Sequence, residues 1–406
     1  MKLSNKHIIL ADQALFSGTN FLMTLIIARL LGVSEFGVYA GIVLVIHLLV
    51  SGISAWTIQP FQVFYHNKNQ DAREYTSFVF LSQLILSLFV VASVVLIAAF
   101  FYEFSLWSAA FALGFIFHDF GRKYLLATNE VRKSFILDIL VSIGFFVVIA
   151  AFYFLANNQL SSLFLYLSLA YIAPFIYTWT VSNMQMLSVS AFKTYLPKHM
   201  KEGKWLFMSA LTQWWSGNLF VVASGLYLGA AALGALRLAQ SLMGVLNIIL
   251  QSFENYVLPQ TAAKLQDGLS LGTNYLVDLT RKAALLFLPI LMLSFVFSFQ
   301  IMEIAGGKDF SEYDYALKGL SILYVFVFVS QPIRMMVRAM LLNQHFFVGY
   351  LISLVMALLL SNWLLSEYAL MGAIIGLIAS QFLLIVYWSV ILHYKSVRLW
   401  KSFISF

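Results

Sequence analysis

Apolar runs of helix length recur from one end of this chain to the other, separated by short polar or Gly/Pro breaks. The hydrocarbon core of a bilayer is about 30 Å thick, so one helix needs roughly 20 apolar residues to cross it. The composition leaves no other solvent for such runs. Of the 406 residues, 62% are hydrophobic and 10% charged, with mean hydropathy +0.88. A soluble protein carries about 25% charged residues, and in water this surface would aggregate. Barrel strands would alternate apolar and polar residues over about 10 positions, whereas these runs are apolar nearly all round.

The expectation is an all-α polytopic membrane protein with twelve transmembrane helices in two repeated six-helix bundles. The first six spans are Ile9–Leu31, Gly37–Ile58, Thr76–Phe101, Leu106–Leu126, Phe135–Leu155 and Ser161–Gln185. A basic linker over 188–204 follows. The second six are Trp205–Leu228, Leu233–Val257, Ala283–Met302, Tyr315–Met340, Phe346–Leu364 and Ala369–Leu392. The bundles are thus 1–187 and 205–406. The first segment, MKLSNKHIILADQ, reads as a retained helix rather than a cleaved signal.

Alternating the loops places all but Arg29, Arg237, Lys308 and Lys318 of the 24 Lys and Arg on the side of the N-terminus. By the positive-inside rule both termini are expected to be cytoplasmic. The outward loops, Gly32–Phe36, Tyr102–Ser105, Ala156–Leu160 and Gly229–Ala232, are very short, and Glu303–Asp314 is only somewhat longer. No external catalytic domain fits there. With no cysteine, disulfides and thiolate sites are excluded.

The turn LGVSEFGVY, Leu31–Tyr39, matches LGAAALGAL, Leu228–Leu236, with Gly32 on Gly229 and Gly37 on Gly234. Pro60 and Pro259 close the second span of each half, and His118 and Arg122 recur as Arg334 and Arg338. A duplicated six-helix unit explains these matches, and secondary transporters are built this way, with the substrate path between the bundles.

The segment IIARLLGVSEFGVYAGIV, Ile26–Val43, resembles the signature of polysaccharide-export flippases, the O-antigen (Wzx-like) branch of the multidrug/oligosaccharidyl-lipid/polysaccharide (MOP) exporter superfamily. The resemblance implies a V-shaped pair of six-helix bundles. It implies a secondary transporter that moves undecaprenyl-diphosphate-linked oligosaccharide repeat units to the outer leaflet of the bacterial inner membrane by alternating access. The product would serve O-antigen, capsule or exopolysaccharide synthesis. Expected partners are the lipid-linked oligosaccharide, the bilayer, polysaccharide polymerase machinery and a H+ or Na+ gradient; nucleic acid is not expected. Arginines midway along the first helix mark the lipid II branch, and here that helix is uncharged between Asp12 and Arg29.

Charge inside a bilayer costs about 2.5–3.5 kcal/mol on insertion scales, so polar groups there face protein or water. Arg237, Gln240, Gly244, Asn247, Gln251 and Glu254 fall on one face of the eighth span. They form the expected substrate cavity, although helix packing through amides would use the same residues. Gln13, Ser17, Asn20 and Thr24 form a shorter stripe on the first span; Arg29 and His47 complete the cavity set. Arg29 would anchor a helix end or touch a diphosphate or acidic sugar. His118, Arg122, Arg334 and Arg338 are candidates for diphosphate capture, because guanidinium groups match phosphate oxygens. Asp12 and Asp138 are candidates for ion coupling.

No Walker A motif, HExxH pair or Gly-x-Ser-x-Gly elbow is present. No catalytic residue, metal site or cofactor is therefore expected, and the chain does not read as an enzyme. Two other classes compete: a MATE-type multidrug/cation antiporter, and a membrane-embedded polysaccharide polymerase or glycosyltransferase.

Overall fold

A computed structural model of the chain describes residues 5–65, 72–100, 106–155, 159–181, 189–397 and 399. The sequence-based positions Lys2, Lys68, Arg398 and Lys401, the loop 102–105 and most of 156–160 lie outside the described residues. Lipid offers no hydrogen bonds to a backbone, so a spanning chain must satisfy its peptide groups internally. The described residues accordingly form helices and no strands.

α1 runs Asn5–Trp56 and α14 runs Asn343–Tyr394, each 52 residues long. At 1.5 Å per residue such a helix is about 78 Å long, more than twice the bilayer core. Each is broken once. Gly32 in α1 sits at φ 75°, ψ 173°, and Ala369 in α14 at φ 48°, ψ −133°. Between them come α2 (Ile58–Phe64), α3 (Ala72–Phe100), α4 (Leu106–Ala127) and α5 (Val131–Leu155). The sixth expected span is divided at Ala170–Tyr171 into α6 (Leu160–Leu169) and α7 (Ile172–Val181). α8 (Val189–Leu228) extends helix through the segment expected as linker. α9 (Ala230–Asp267) continues past Pro259, and α10 (Leu269–Val296) is followed by short α11 (Ser298–Gly306) and α12 (Lys308–Ser311), then α13 (Asp314–Ala339).

Eight segments among the described residues are long and apolar enough to cross a membrane, and two of them, His7–Trp56 and Asn343–Tyr394, are long enough to do so twice. α4 and α8, whose charges lower their hydropathy, bring the order of elements into line with twelve passes.

The chain divides into two compact units, 1–23 with 42–211, and 24–41 with 212–406. The first is built on an aromatic core that includes Phe61, Tyr75, Phe78, Tyr124 and Tyr195. The second has a core around Met335, Met336, Trp388 and Leu276.

The first-half segment that belongs to the second unit shows why the repeated glycines recur. Gly229 adopts φ 87°, ψ 177°, nearly the conformation of Gly32. This region of backbone space is open essentially to glycine alone. A Cβ on Gly37 would lie 1.8 Å from the Ala230 carbonyl oxygen, and one on Gly234 would lie 2.3 Å from the Val33 carbonyl oxygen. Val33 is to Ala230 as Gly37 is to Gly234. The two contacts are therefore the same contact seen from each repeat.

Candidate functional site

The polar face of α9 opens onto a cavity of about 400 Å³ that lies wholly within the second unit. Arg237, Gln240 and Asn247 line it, joined by Ser241 from the same helix. The other face of α9 is packed through Leu236, Ala239, Met243, Leu246 and Leu250. A Cβ on Gly244 would meet nothing within 4 Å, so the polar face is open along this stretch.

The remaining walls come from four other passes. α8 gives Ser216 and Asn218, α13 gives Tyr324, and α14 gives Tyr350 and Ser353 before its break and Ser380 and Gln381 after it. Asn247 donates to the Tyr324 hydroxyl at 2.7 Å, Ser216 to Ser353 at 3.0 Å and Gln381 to Ser330 at 2.6 Å. Ser380 is buried and its hydroxyl has no hydrogen-bond partner. Arg237 donates to Gln240 Oε1 at 3.0 Å. Among the described residues no carboxylate lines this cavity.

Farther along α9 the stripe changes character. Gln251 is exposed and does not line the cavity. Glu254 is buried and accepts from both Arg334 and Arg338. Arg334 also donates to Gln331 at 2.9 Å. Two guanidinium groups against one carboxylate leave a positive charge. Tyr350, a wall of the cavity, is an electrostatic partner of Arg334, so the ion cluster adjoins the cavity.

His118 and Arg122 sit in the first unit and are engaged by carboxylates. Arg122 Nε donates to Asp138 Oδ2 at 2.7 Å and Nη2 to Asp12 Oδ2 at 2.7 Å. His118 Nε2 lies 3.0 Å from Asp138 Oδ1. The Asp12 and Asp138 side chains are both 1% exposed, and Asp12 Oδ1 has no partner. Unpaired charge is expensive in such a setting. Two carboxylates facing one guanidinium leave a negative charge, the reverse of the Glu254 cluster.

The first-span stripe lies apart from the cavity lining. Gln13 donates to Ser17 at 3.0 Å and accepts from Arg122 at 3.2 Å; Asn20 donates to the Phe16 carbonyl at 2.9 Å. Thr24 is half-buried, and the ring of His47 lies 5.4 Å from that of Phe115. Arg29 is exposed and donates to the Ile304 carbonyl at 2.6 Å, at the end of α11. Neither Arg29 nor His47 lines the cavity.

Spacing on one helix made Arg237, Gln240 and Asn247 readable in advance. Asn218, Tyr324, Tyr350, Ser353, Ser380 and Gln381 were missed. They are scattered over three helices with no stripe to join them, and only folding brings them together.

In the comparison of folds, the chain is similar to an inward-facing multidrug resistance MATE family transporter of the MOP superfamily. The TM-score is 0.73 at 14% identity, covering 96% of this chain and 95% of that one. It is equally similar to the lipid II flippase MurJ in an inward closed conformation, with TM-score 0.73, 15% identity and coverage of 98% and 89%. An outward-facing MATE family transporter follows, with TM-score 0.66, 13% identity and coverage of 98% and 97%. At these identities the likeness establishes the MOP fold. No curated protein matches the sequence. A family model described as polysaccharide biosynthesis protein matches residues 26–314, from the helix before the Gly32 turn to the start of α13, and the chain belongs to that family.

Proposed function

We propose that the protein is a secondary transporter that flips undecaprenyl-diphosphate-linked oligosaccharide repeat units from the cytoplasmic to the outer leaflet of the bacterial inner membrane. The product would feed O-antigen, capsule or exopolysaccharide synthesis. The observation that carries this reading is a polar, cationic cavity of about 400 Å³ inside a membrane-spanning unit. A glycan head group cannot enter hydrocarbon without losing its hydration. Amides, hydroxyls and one guanidinium replace that hydration, while the polyprenyl chain stays in lipid. Membership of a polysaccharide biosynthesis family supports the cargo class.

In this reading Arg334 and Arg338 capture the diphosphate, since Glu254 balances only one of them. Asp12 and Asp138, held by Arg122 and His118, are the ion-coupling candidates for a H+ or Na+ gradient. Transport proceeds by alternating access of two six-helix bundles.

The test is mass spectrometry of lipid-linked glycans in a strain lacking the protein and in the complemented strain. The expected result is accumulation of undecaprenyl-diphosphate oligosaccharide of complete repeat-unit size, together with loss of surface polymer. An unchanged lipid pool with raised sensitivity to cationic dyes would refute the reading and favour a drug exporter.

A further inference from the structure

The arginines inside the spans of this fold differ in how their charge is met. Arg122 has two carboxylates, Arg334 and Arg338 share Glu254, and Arg29 caps the Ile304 carbonyl. Arg237 donates to a neutral amide, and its electrostatic partner is the phenol of Tyr39. Among the described residues it takes part in no ion pair, yet it lies in a membrane-spanning helix and lines the cavity. A cation inside a membrane span with no anion beside it is costly. The missing anion is therefore to be sought in what the cavity holds.

The rest of the lining defines that anion further. Gln240, Asn247, Asn218 and Gln381 are amides, and Ser380 offers a buried hydroxyl without a partner. These groups donate to and accept from sugar hydroxyls. One fixed positive charge matches one negative charge. A diphosphate, with two or more, would leave an excess, and a neutral sugar would leave Arg237 unmatched. The volume of about 400 Å³ falls within the range of small-ligand pockets, roughly 300–1,000 Å³.

We infer that the cavity of the second unit is the seat of an acidic glycosyl residue, a hexuronate-type sugar whose single carboxylate pairs with Arg237 while its hydroxyls meet the amides and serines. This rests on the glycan-flippase reading and names the class of glycan carried. The guanidinium can meet a carboxylate through two parallel hydrogen bonds. A lysine at this position offers only a point charge.

The test uses the full-length protein purified in detergent and isothermal titration calorimetry. The probes are glucuronate and galacturonate, with glucose and galactose as neutral controls and inorganic pyrophosphate as the diphosphate control. Hexuronates are expected to bind about tenfold or more tighter than the neutral sugars, the size of a hydrogen bond to a charged group. R237Q is expected to abolish that preference and R237K to retain part of it. Q240E guards against misfolding. It is isosteric, it keeps Arg237, and it supplies an internal carboxylate at the position that already accepts from the guanidinium. It is expected to lose hexuronate binding while the protein stays monodisperse.

Equal binding of glucose and glucuronate would overturn the inference, as would no binding by any probe. Preferential, Arg237-dependent binding of pyrophosphate would assign the site to the lipid diphosphate and overturn it too. The glycan that accumulates in the deletion strain separates the two levels. A complete repeat unit without an acidic sugar defeats this inference alone, whereas no accumulation defeats the flippase reading beneath it.

Discussion

At the scale of single residues, the charged and polar groups in this protein are placed by what they neutralise or satisfy. His199 shows how local covalent structure creates such a need. A helical carbonyl is normally met by the N–H four residues on, but the residue four after Trp56 is Pro60, which has none. His199 Nε2 takes that role by hydrogen bonding to the Trp56 carbonyl, which can only accept, so the proton sits on Nε2. Nδ1 is then left to accept from the Tyr75 hydroxyl at 3.3 Å. The rings of Trp56, Tyr75 and Phe78 surround the imidazole, and Tyr195 packs on Tyr75. Burial lowers the pKa of His199 from its ordinary 6.5, opposed by the hydrogen bond to Trp56. A base whose pKa falls on folding contributes full stability above its unfolded value. That contribution is lost as pH falls from about 6.5 towards the lower folded value. The melting temperature of the purified protein is therefore expected to drop between pH 7 and pH 5, and His199→Gln, which keeps a donor but does not titrate, is expected to flatten that part of the profile. His199→Ala should lower stability at pH 7.5 by about 1–3 kcal/mol, because the Trp56 carbonyl is left unpaired. A profile identical in wild type and His199→Gln would show that this imidazole does not couple to folding.

At the scale of elements, the repeated turns are held together by backbone approach that leaves no room for a side chain. Gly234→Ala would set a Cβ against the Val33 carbonyl, a backbone atom that cannot rotate away. The expected cost is about 1–3 kcal/mol, as for other overpacked sites. Gly37→Ala should behave alike, since the contact is reciprocal. Gly18→Ala, with nothing within 4 Å of the new Cβ, should be neutral or stabilising by about 0.5–1 kcal/mol. Denaturant or thermal melts of the three variants check this, and equal stability of Gly234→Ala and Gly18→Ala would contradict it. The positions of these turns were legible in the sequence because glycine spacing repeats. That the two turns meet was not, because nothing local encodes a contact across 197 positions. The spans were legible for a similar reason: lipid demands apolar length, and length is written in order along the chain. The interruption at Ala170–Tyr171 lies four residues before Pro174, which has no N–H to meet the Ala170 carbonyl, and that signal was missed; the one at Phe297 has no glycine or proline beside it. The helical course of 189–204 was hidden by its charge. Four lysines and Pro197 read as linker, although Ala191, Tyr195 and His199 form a buried face at helical spacing. Three of the cavity's lining residues were legible from one stripe on α9, and those contributed by α13 and α14 were not.

At the scale of the whole molecule, the two units differ in the balance of their buried charge clusters. In the first, Arg122 faces two carboxylates, Lys123 faces Asp119 and Lys133 faces Glu130. In the second, Arg237 has no ion pair among the described residues, and Arg334 with Arg338 outweighs Glu254. In the proposed mechanism an anionic head group finds its stabilisation in the second unit. Direction depends on which end of the second unit faces the cytoplasm. The positive-inside bias leads to the expectation that Arg334 and Arg338 lie at the cytoplasmic end of α13, where a newly made lipid-linked glycan would arrive, with the carboxylates of Glu303–Asp314 outside. Fusions test this directly. Alkaline phosphatase joined after Glu312 is expected to be active, and joined after Lys204 or at the C-terminus inactive, with green fluorescence from a fluorescent protein at the C-terminus. The reverse pattern would place the Glu254 cluster on the outer side and leave the cytoplasmic entrance lined by carboxylates that repel a diphosphate. The proposed direction of transport would then fail even if the cargo were right, so topology is a test of the mechanism as well as of the fold.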